Sequence, residues 1–179
     1  MNLAPARPSG PPSWLQAVSL LLAIAGLGVS VYETYAHFNG SHLAGCPTGQ
    51  GTFNCTAVIT SSQSMVFGVI PVAILGLAYY LVAVPLFSPR GWRWKGHPRL
   101  AFTQRGIGWL RLGSVIVGMG FVMYLIYAEV YQIGNICEYC TGVHIVTFLL
   151  FCMTLVAAAL WGLGDANRPA SPVRIADQG

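Results

Sequence analysis

Between residues 8 and 89, and again between 112 and 167, this chain contains no lysine or arginine at all. In or beside those stretches lie four apolar runs, at residues 14–35, 65–87, 106–127 and 140–163. Each approaches the about 20 residues that a helix needs to cross a hydrocarbon core. Charged residues make up 8% of the sequence, against roughly 25% in soluble domains. The reading is an all-α integral membrane protein, a four-transmembrane-helix bundle. β-barrel strands are disfavoured, because the runs are too long and lack a two-residue alternation. Pro71, Pro85 and the scattered glycines fit a bundle in which neighbours satisfy freed backbone groups and small residues let helices approach.

The nine basic residues set the expected topology. Arg90, Arg93, Lys95, Arg99, Arg105 and Arg111 lie in or beside the connection between the second and third runs. Arg7 precedes the first run, and Arg168 and Arg174 follow the last. The positive-inside bias therefore places both termini and the middle connection in the cytoplasm. Residues 1–13 and 164–179 read as flexible cytoplasmic tails, and 14–163 as one membrane domain. The aromatic-basic stretch Arg90 to Lys95 reads as an interfacial, lipid-facing segment, with no nucleic-acid partner expected.

Parity then puts the loop between runs one and two on the same face as the short turn before run four. That face is the non-cytoplasmic one, where disulfides persist. Four of the five cysteines fall there: Cys46 and Cys55 in the loop, and Cys137-Glu138-Tyr139-Cys140 at the start of the last run. A Cys-x-x-Cys at a helix N-terminus sits where unpaired N–H groups and the macrodipole favour the thiolate that attacks disulfides or electrophiles. Helical spacing adds His144 to the face of Cys140. A flexible loop pair could open and close while meeting both a soluble partner and the inner pair. The bland alternatives are a loop staple, inert thiols, or four cysteines around zinc. Cys152, about 18 Å further along the helix than Cys140, reads as packing. Glu33 and Glu129 read as interfacial caps or hydrogen-bond partners, and Glu138 as added negative charge beside the thiols.

Taken together, the loop pair Cys46 and Cys55, the stretch Cys55-Thr56-Ala57-Val58-Ile59-Thr60-Ser61, the segment Gly68-Val69-Ile70-Pro71 with Gly76, and the Cys137–Cys140 motif resemble the vitamin K epoxide reductase family, of the stand-alone bacterial type. The resemblance covers most of residues 14 to 163 and implies a membrane redox domain whose outward loop covers a quinone site. It implies that Cys46 and Cys55 take electrons from a separate thioredoxin-fold protein, that Cys55 exchanges with Cys137, and that Cys140 faces the quinone, with Ser61 and His144 as quinone contacts. The acceptor would be ubiquinone or menaquinone, and the setting the bacterial inner membrane. Val72 and His144 stand where vertebrate members carry an asparagine and a tyrosine associated with the vitamin K head group, which favours an ordinary quinone over an epoxide. The expected activity is a thiol oxidase supporting disulfide formation. The alternatives are a quinone or vitamin K epoxide reductase serving quinol production, and a non-catalytic scaffold or metal-binding protein.

Overall fold

The computed structural model describes residues 10–40, 42–46, 51–66, 68–92 and 104–163. Arg7, Arg93, Lys95 and Arg99, together with Arg168, Arg174, residues 1–9 of the first tail and the tail 164–179, lie outside the described residues. Helix α1 (Ser13–Asn39) is followed by the short α2 (Cys55–Ile59) and a 3-10 turn (Ser62–Ser64). Strands β1 (Met65–Val66) and β2 (Ile70–Pro71) pair as a small antiparallel hairpin. Then come α3 (Val72–Phe87), α4 (Pro89–Trp92), α5 (Gln104–Tyr127) and, after a π-helical turn, α6 (Glu138–Trp161).

Three helical stretches are long and apolar enough to cross a membrane: Ser13–Asn39, Gly106–Ile133 and Glu138–Trp161. The second expected run is corrected. The described residues among its first seven are not helical, because Gly68 turns the hairpin at φ +68° and Pro71, at φ −60° and ψ 133°, stands at the helix N-terminus without an N–H to give. The remaining 16 residues of α3 span about 24 Å, short of a full hydrocarbon core of about 30 Å. The third run is corrected in the other direction. Past Tyr127 the helix continues through a wider turn, Ala128–Ile133, and stops where Gly134 adopts the left-handed conformation at φ +69°.

α1 packs along α3 and α6, and α5 packs on α6. The central core joins Ala23, Tyr80, Ala83, Phe87, Val115 and Leu150. Tyr80 fits only because Gly26 has no side chain, since a Cβ there would stand 2.1 Å from the ring. The Tyr80 hydroxyl shares a hydrogen bond with Thr147 at 2.8 Å and donates to the Val143 carbonyl at 3.2 Å, which pins α3 against α6. Outward, the helices show Leu21, Ile24, Val31, Ile116 and Leu160, an apolar exterior that lipid rather than water would cover.

At the end of the bundle nearest the basic connection, Arg111 is 6% exposed. Its guanidinium donates to the Leu86 carbonyl at 2.7 and 3.2 Å and stacks on Trp92 at 3.6 Å. This charge, counted above only as a topology signal, therefore holds a carbonyl of the last turn of α3.

Candidate functional site

At the opposite end a second cluster gathers Ala36, Leu43, Cys55, Val58, Ile59 and Cys137, with Cys46 and Cys140 packed on it. The loop cysteines reach it through local sequence. Asn54 caps α2 by accepting the Ala57 N–H at 3.0 Å, which fixes Cys55 in the first turn, buried. Cys46 and Cys55 form a disulfide with Cα atoms 6.1 Å apart. Just before Cys55, Phe53 pairs with Ile136 in a parallel bridge: the Asn54 N–H donates to the Ile136 carbonyl at 3.1 Å and the Ile136 N–H to the Thr52 carbonyl at 2.8 Å. The backbones leading into Cys55 and Cys137 thus run side by side.

The loop is held on its other flank by two tyrosines. The Ala44 N–H donates to the Tyr32 hydroxyl at 2.9 Å, and the Tyr139 hydroxyl donates to the Ala44 carbonyl. Their rings lie 5.5 Å apart. Tyr139, the residue between the two cysteines of the motif, is therefore a clasp on the segment leading to Cys46.

Cys137 is the N-cap of α6, with its Sγ accepting the Cys140 N–H at 3.4 Å. The Thr141 N–H and hydroxyl both donate to the Cys137 carbonyl at 2.9 Å. Both thiols are free, Cys137 fully buried and Cys140 half-buried. Cys140 and His144, one helical turn apart, line a cavity of about 320 Å3. That lies at the small end of the range of about 300 to 1,000 Å3 usual for small-molecule sites. Most of the wall is apolar, from Val72, Leu75, Val117, Phe121 and similar residues, with a few polar groups between them.

Two of those polar groups are carboxyls. Glu33 and Glu129 are 7% and 6% exposed, and both face the Cys140 thiol. A Glu33 oxygen, Cys137 Sγ and Cys140 Sγ all lie within 4.8 Å of one another. Of the two readings of these glutamates, interfacial caps or hydrogen-bond partners, their burial beside the thiols agrees with the second. Residue 33 falls on the buried stripe of α1 with Ser19, Ala23, Gly26 and Ser30, and the π-helical turn carries Glu129 inward. The four-thiolate zinc alternative does not describe this state, because two of the four sulfurs are joined in the disulfide.

Ser61 is not in the cavity wall. Its hydroxyl donates to the Val58 carbonyl at 2.8 Å and accepts the Ser64 N–H at 3.2 Å, and this turn places Ser64 and Gln63 at the wall instead. Cys152 is a free, half-buried thiol within α6 and outside the cavity lining. Sequence reasoning gave no role to Tyr32, and none to Tyr139 beyond its place between the two cysteines. Aromatic residues at a membrane interface are too ordinary to signal a clasp, and only the loop backbone they hold reveals it.

A family model described as the vitamin K epoxide reductase family matches residues 17–155, so the match includes the loop cysteines, the hairpin and the start of α6. Comparison with curated proteins gives no match.

Proposed function

The chain belongs to the vitamin K epoxide reductase family, and from that premise we propose that it is a membrane thiol oxidase. It takes two electrons from the dithiol of a separate thioredoxin-fold protein and delivers them to a quinone. The observation that carries this reading is the free thiol of Cys140 in the wall of an apolar cavity, beside a loop disulfide tied to the same helix end. With Cys46–Cys55 oxidised and the inner pair free, the structure resembles the stage at which electrons have reached Cys137 and Cys140 and await an acceptor.

The steps follow from disulfide exchange. A partner thiolate attacks the Cys46–Cys55 disulfide, and the partner's second thiol resolves the mixed disulfide, leaving the partner oxidised and the loop pair reduced. Cys55 then attacks Cys137 of the oxidised inner pair and Cys140 leaves. Cys46 attacks Cys55, which restores the loop disulfide and frees Cys137. Oxidation of the inner pair closes the Cys137–Cys140 bond again and passes two electrons and two protons to the quinone. His144 lies in the wall as a ring contact, and Ser61 acts through the turn that presents Gln63 and Ser64. In this reading α3 with its hairpin completes a four-helix membrane bundle around residues 14–163. The basic end faces the cytoplasm of a bacterial inner membrane with both tails, and the thiol end faces outward.

The test is turnover by purified protein in lipid discs. With a small dithiol or a reduced thioredoxin-fold protein as donor and a short-chain quinone as acceptor, quinol absorbance should grow and donor disulfide should appear in equal amount. A protein that cycles its cysteines without forming quinol would overturn the assignment. For topology, an impermeant thiol reagent applied to cells after reduction should label Cys46 and spare a cysteine introduced by Ser88→Cys.

A further inference from the structure

Only three glutamates occur in this sequence, and two of them, from different elements, converge on one thiol. That placement is costly. Two carboxyls are withdrawn from water into an apolar setting, and the sequence offers no lysine or arginine from residue 8 to 89 or from 112 to 167 to compensate either. The two are also not equivalent. Glu129 lies beside Cys137 and Cys140 at the start of α6 but is not part of the close trio of Glu33 and the two sulfurs. Glu33 keeps one buried oxygen, Oε1, with no hydrogen-bond partner among the described residues, and it lines the cavity.

The oxidation of the inner pair needs such a group. Joining Cys137 and Cys140 breaks two S–H bonds and forms one S–S bond. The electron pair goes to the quinone, and the two protons must travel from the sulfurs to its two oxygens. We infer that Glu33 is the base that carries these protons, taking the one on Cys140 as that sulfur reacts and passing it to the acceptor, then serving Cys137 in the same way. Its reach is sufficient for both, since a Glu33 oxygen and both Sγ atoms lie within 4.8 Å of one another. Glu129 is a positioning residue that keeps Cys137 and Cys140 presented to it.

The other titratable groups of the cavity are less suited. His37 is bonded through Nδ1 to the Ile59 carbonyl at 3.0 Å, and Tyr80 is occupied with Thr147 and Val143. The Tyr79 hydroxyl has no partner among the described residues, but a phenol is a poor base, and His144 stands a full helical turn beyond Cys140. Of these, Glu33 alone combines contact with the reacting sulfur and an unclaimed acceptor atom.

This inference rests on the oxidase reading, so its test has one arm that needs no quinone. In Cys137→Ala protein, where Cys140 cannot form the inner disulfide, the rate at which a membrane-permeant maleimide alkylates Cys140 is followed against pH, with and without Glu33→Gln. With Glu33 the rate should be high at pH 7 and should fall on acidification as the carboxyl takes up its proton. With Gln it should fall at least tenfold at pH 7 and rise with pH, because the thiol must then release its proton to hydroxide. In the second arm, single-turnover quinone reduction by the otherwise native, pre-reduced protein should fall by about 100-fold or more with Glu33→Gln, the usual scale of lost acid–base catalysis. Glu33→Asp should recover part of it, and Glu129→Gln should lower the rate while keeping the native pH profile. Unchanged alkylation rate and pH profile in Glu33→Gln would overturn the role of Glu33. A maleimide effect as expected, in a protein that never reduces quinone, would sustain Glu33 as the base of Cys140 and overturn the choice of acceptor.

Discussion

At the basic end of the bundle, Arg111 is bonded twice to the Leu86 carbonyl and stacked on Trp92; at the thiol end, Glu33 holds a buried oxygen that bonds to nothing described. Both residues are more than nine-tenths buried, and each is an expensive guest in an apolar interior. The arginine is compensated by fixed neighbours, so its contribution is structural. The glutamate is left incomplete beside the Cys140 sulfur and a cavity, and Ser30 Oγ and Tyr79 Oη in the same wall also lack partners among the described residues. A buried polar group without a partner costs stability and is the mark of a place where a ligand or a proton is expected. Burial alone therefore does not separate scaffold from site, and neither does a single missing hydrogen bond, since Trp92 Nε1 at the basic end also lacks a partner among the described residues; what marks the thiol end is three such atoms around one cavity.

That contrast can be broken most severely at Cys140. Cys140→Ala is expected to abolish quinone reduction with every donor while leaving the thermal unfolding midpoint within a few degrees of native. Cys55→Ala should retain turnover with a small permeant dithiol and lose it with a protein donor. Equal residual activity in the two variants would remove the distinction between shuttle and reacting pair.

Next in size is Arg111→Ala, which should lower unfolding stability by about 2 to 4 kcal/mol, from a charged hydrogen bond of about 1.5 to 3 kcal/mol and a cation–π contact of up to about 2. Quinone reduction per folded molecule should be unchanged. A loss of activity without a loss of stability would show that the basic end is coupled to the chemistry.

A smaller effect is expected from Gly26→Ala, where the new methyl meets the Tyr80 ring. Overpacking of this kind costs about 1 to 3 kcal/mol, and because Tyr80 also ties α3 to α6 near His144, quinone affinity should weaken with it. Smallest is Tyr139→Phe, which removes one hydrogen bond to the loop, worth about 0.5 to 1.5 kcal/mol. Global stability should hardly change, while labelling of Cys46 after reduction should quicken. A large drop in stability there would mean that the clasp is part of the core.

Much of this was legible in the sequence. Helix α1 and helix α6 declare themselves by length and apolarity, and the closeness of the two cysteine pairs follows from parity, which the Phe53–Ile136 bridge and the shared cluster agree with. The start of α3 was not legible, because an apolar run from Met65 to Phe87 looks the same whether it opens as helix or as hairpin. Only Pro71 and Gly68, weighed against that run, point to the hairpin. The burial of Glu33 and Glu129 beside the thiols was not legible, because residue numbers place them near span ends without saying which way they face. Rotation of α1 and a six-residue π-helical segment settle that, and neither has a strong sequence signature. Ser61, expected beside the quinone, lies outside the cavity wall, since a serine ahead of a 3-10 turn is drawn into capping it, and Gln63 and Ser64 line the wall instead.

The Phe53–Ile136 bridge has a kinetic consequence. Two main-chain hydrogen bonds hold the segment before Cys55 against the residue before Cys137, so in the proposed cycle an exchange between those sulfurs would be a unimolecular event with a high effective concentration, independent of how much protein the membrane carries. The diffusive step is moved outward to the encounter with the donor. Overall flux should then scale with the supply of reduced partner until the second substrate, dissolved in the bilayer, becomes limiting.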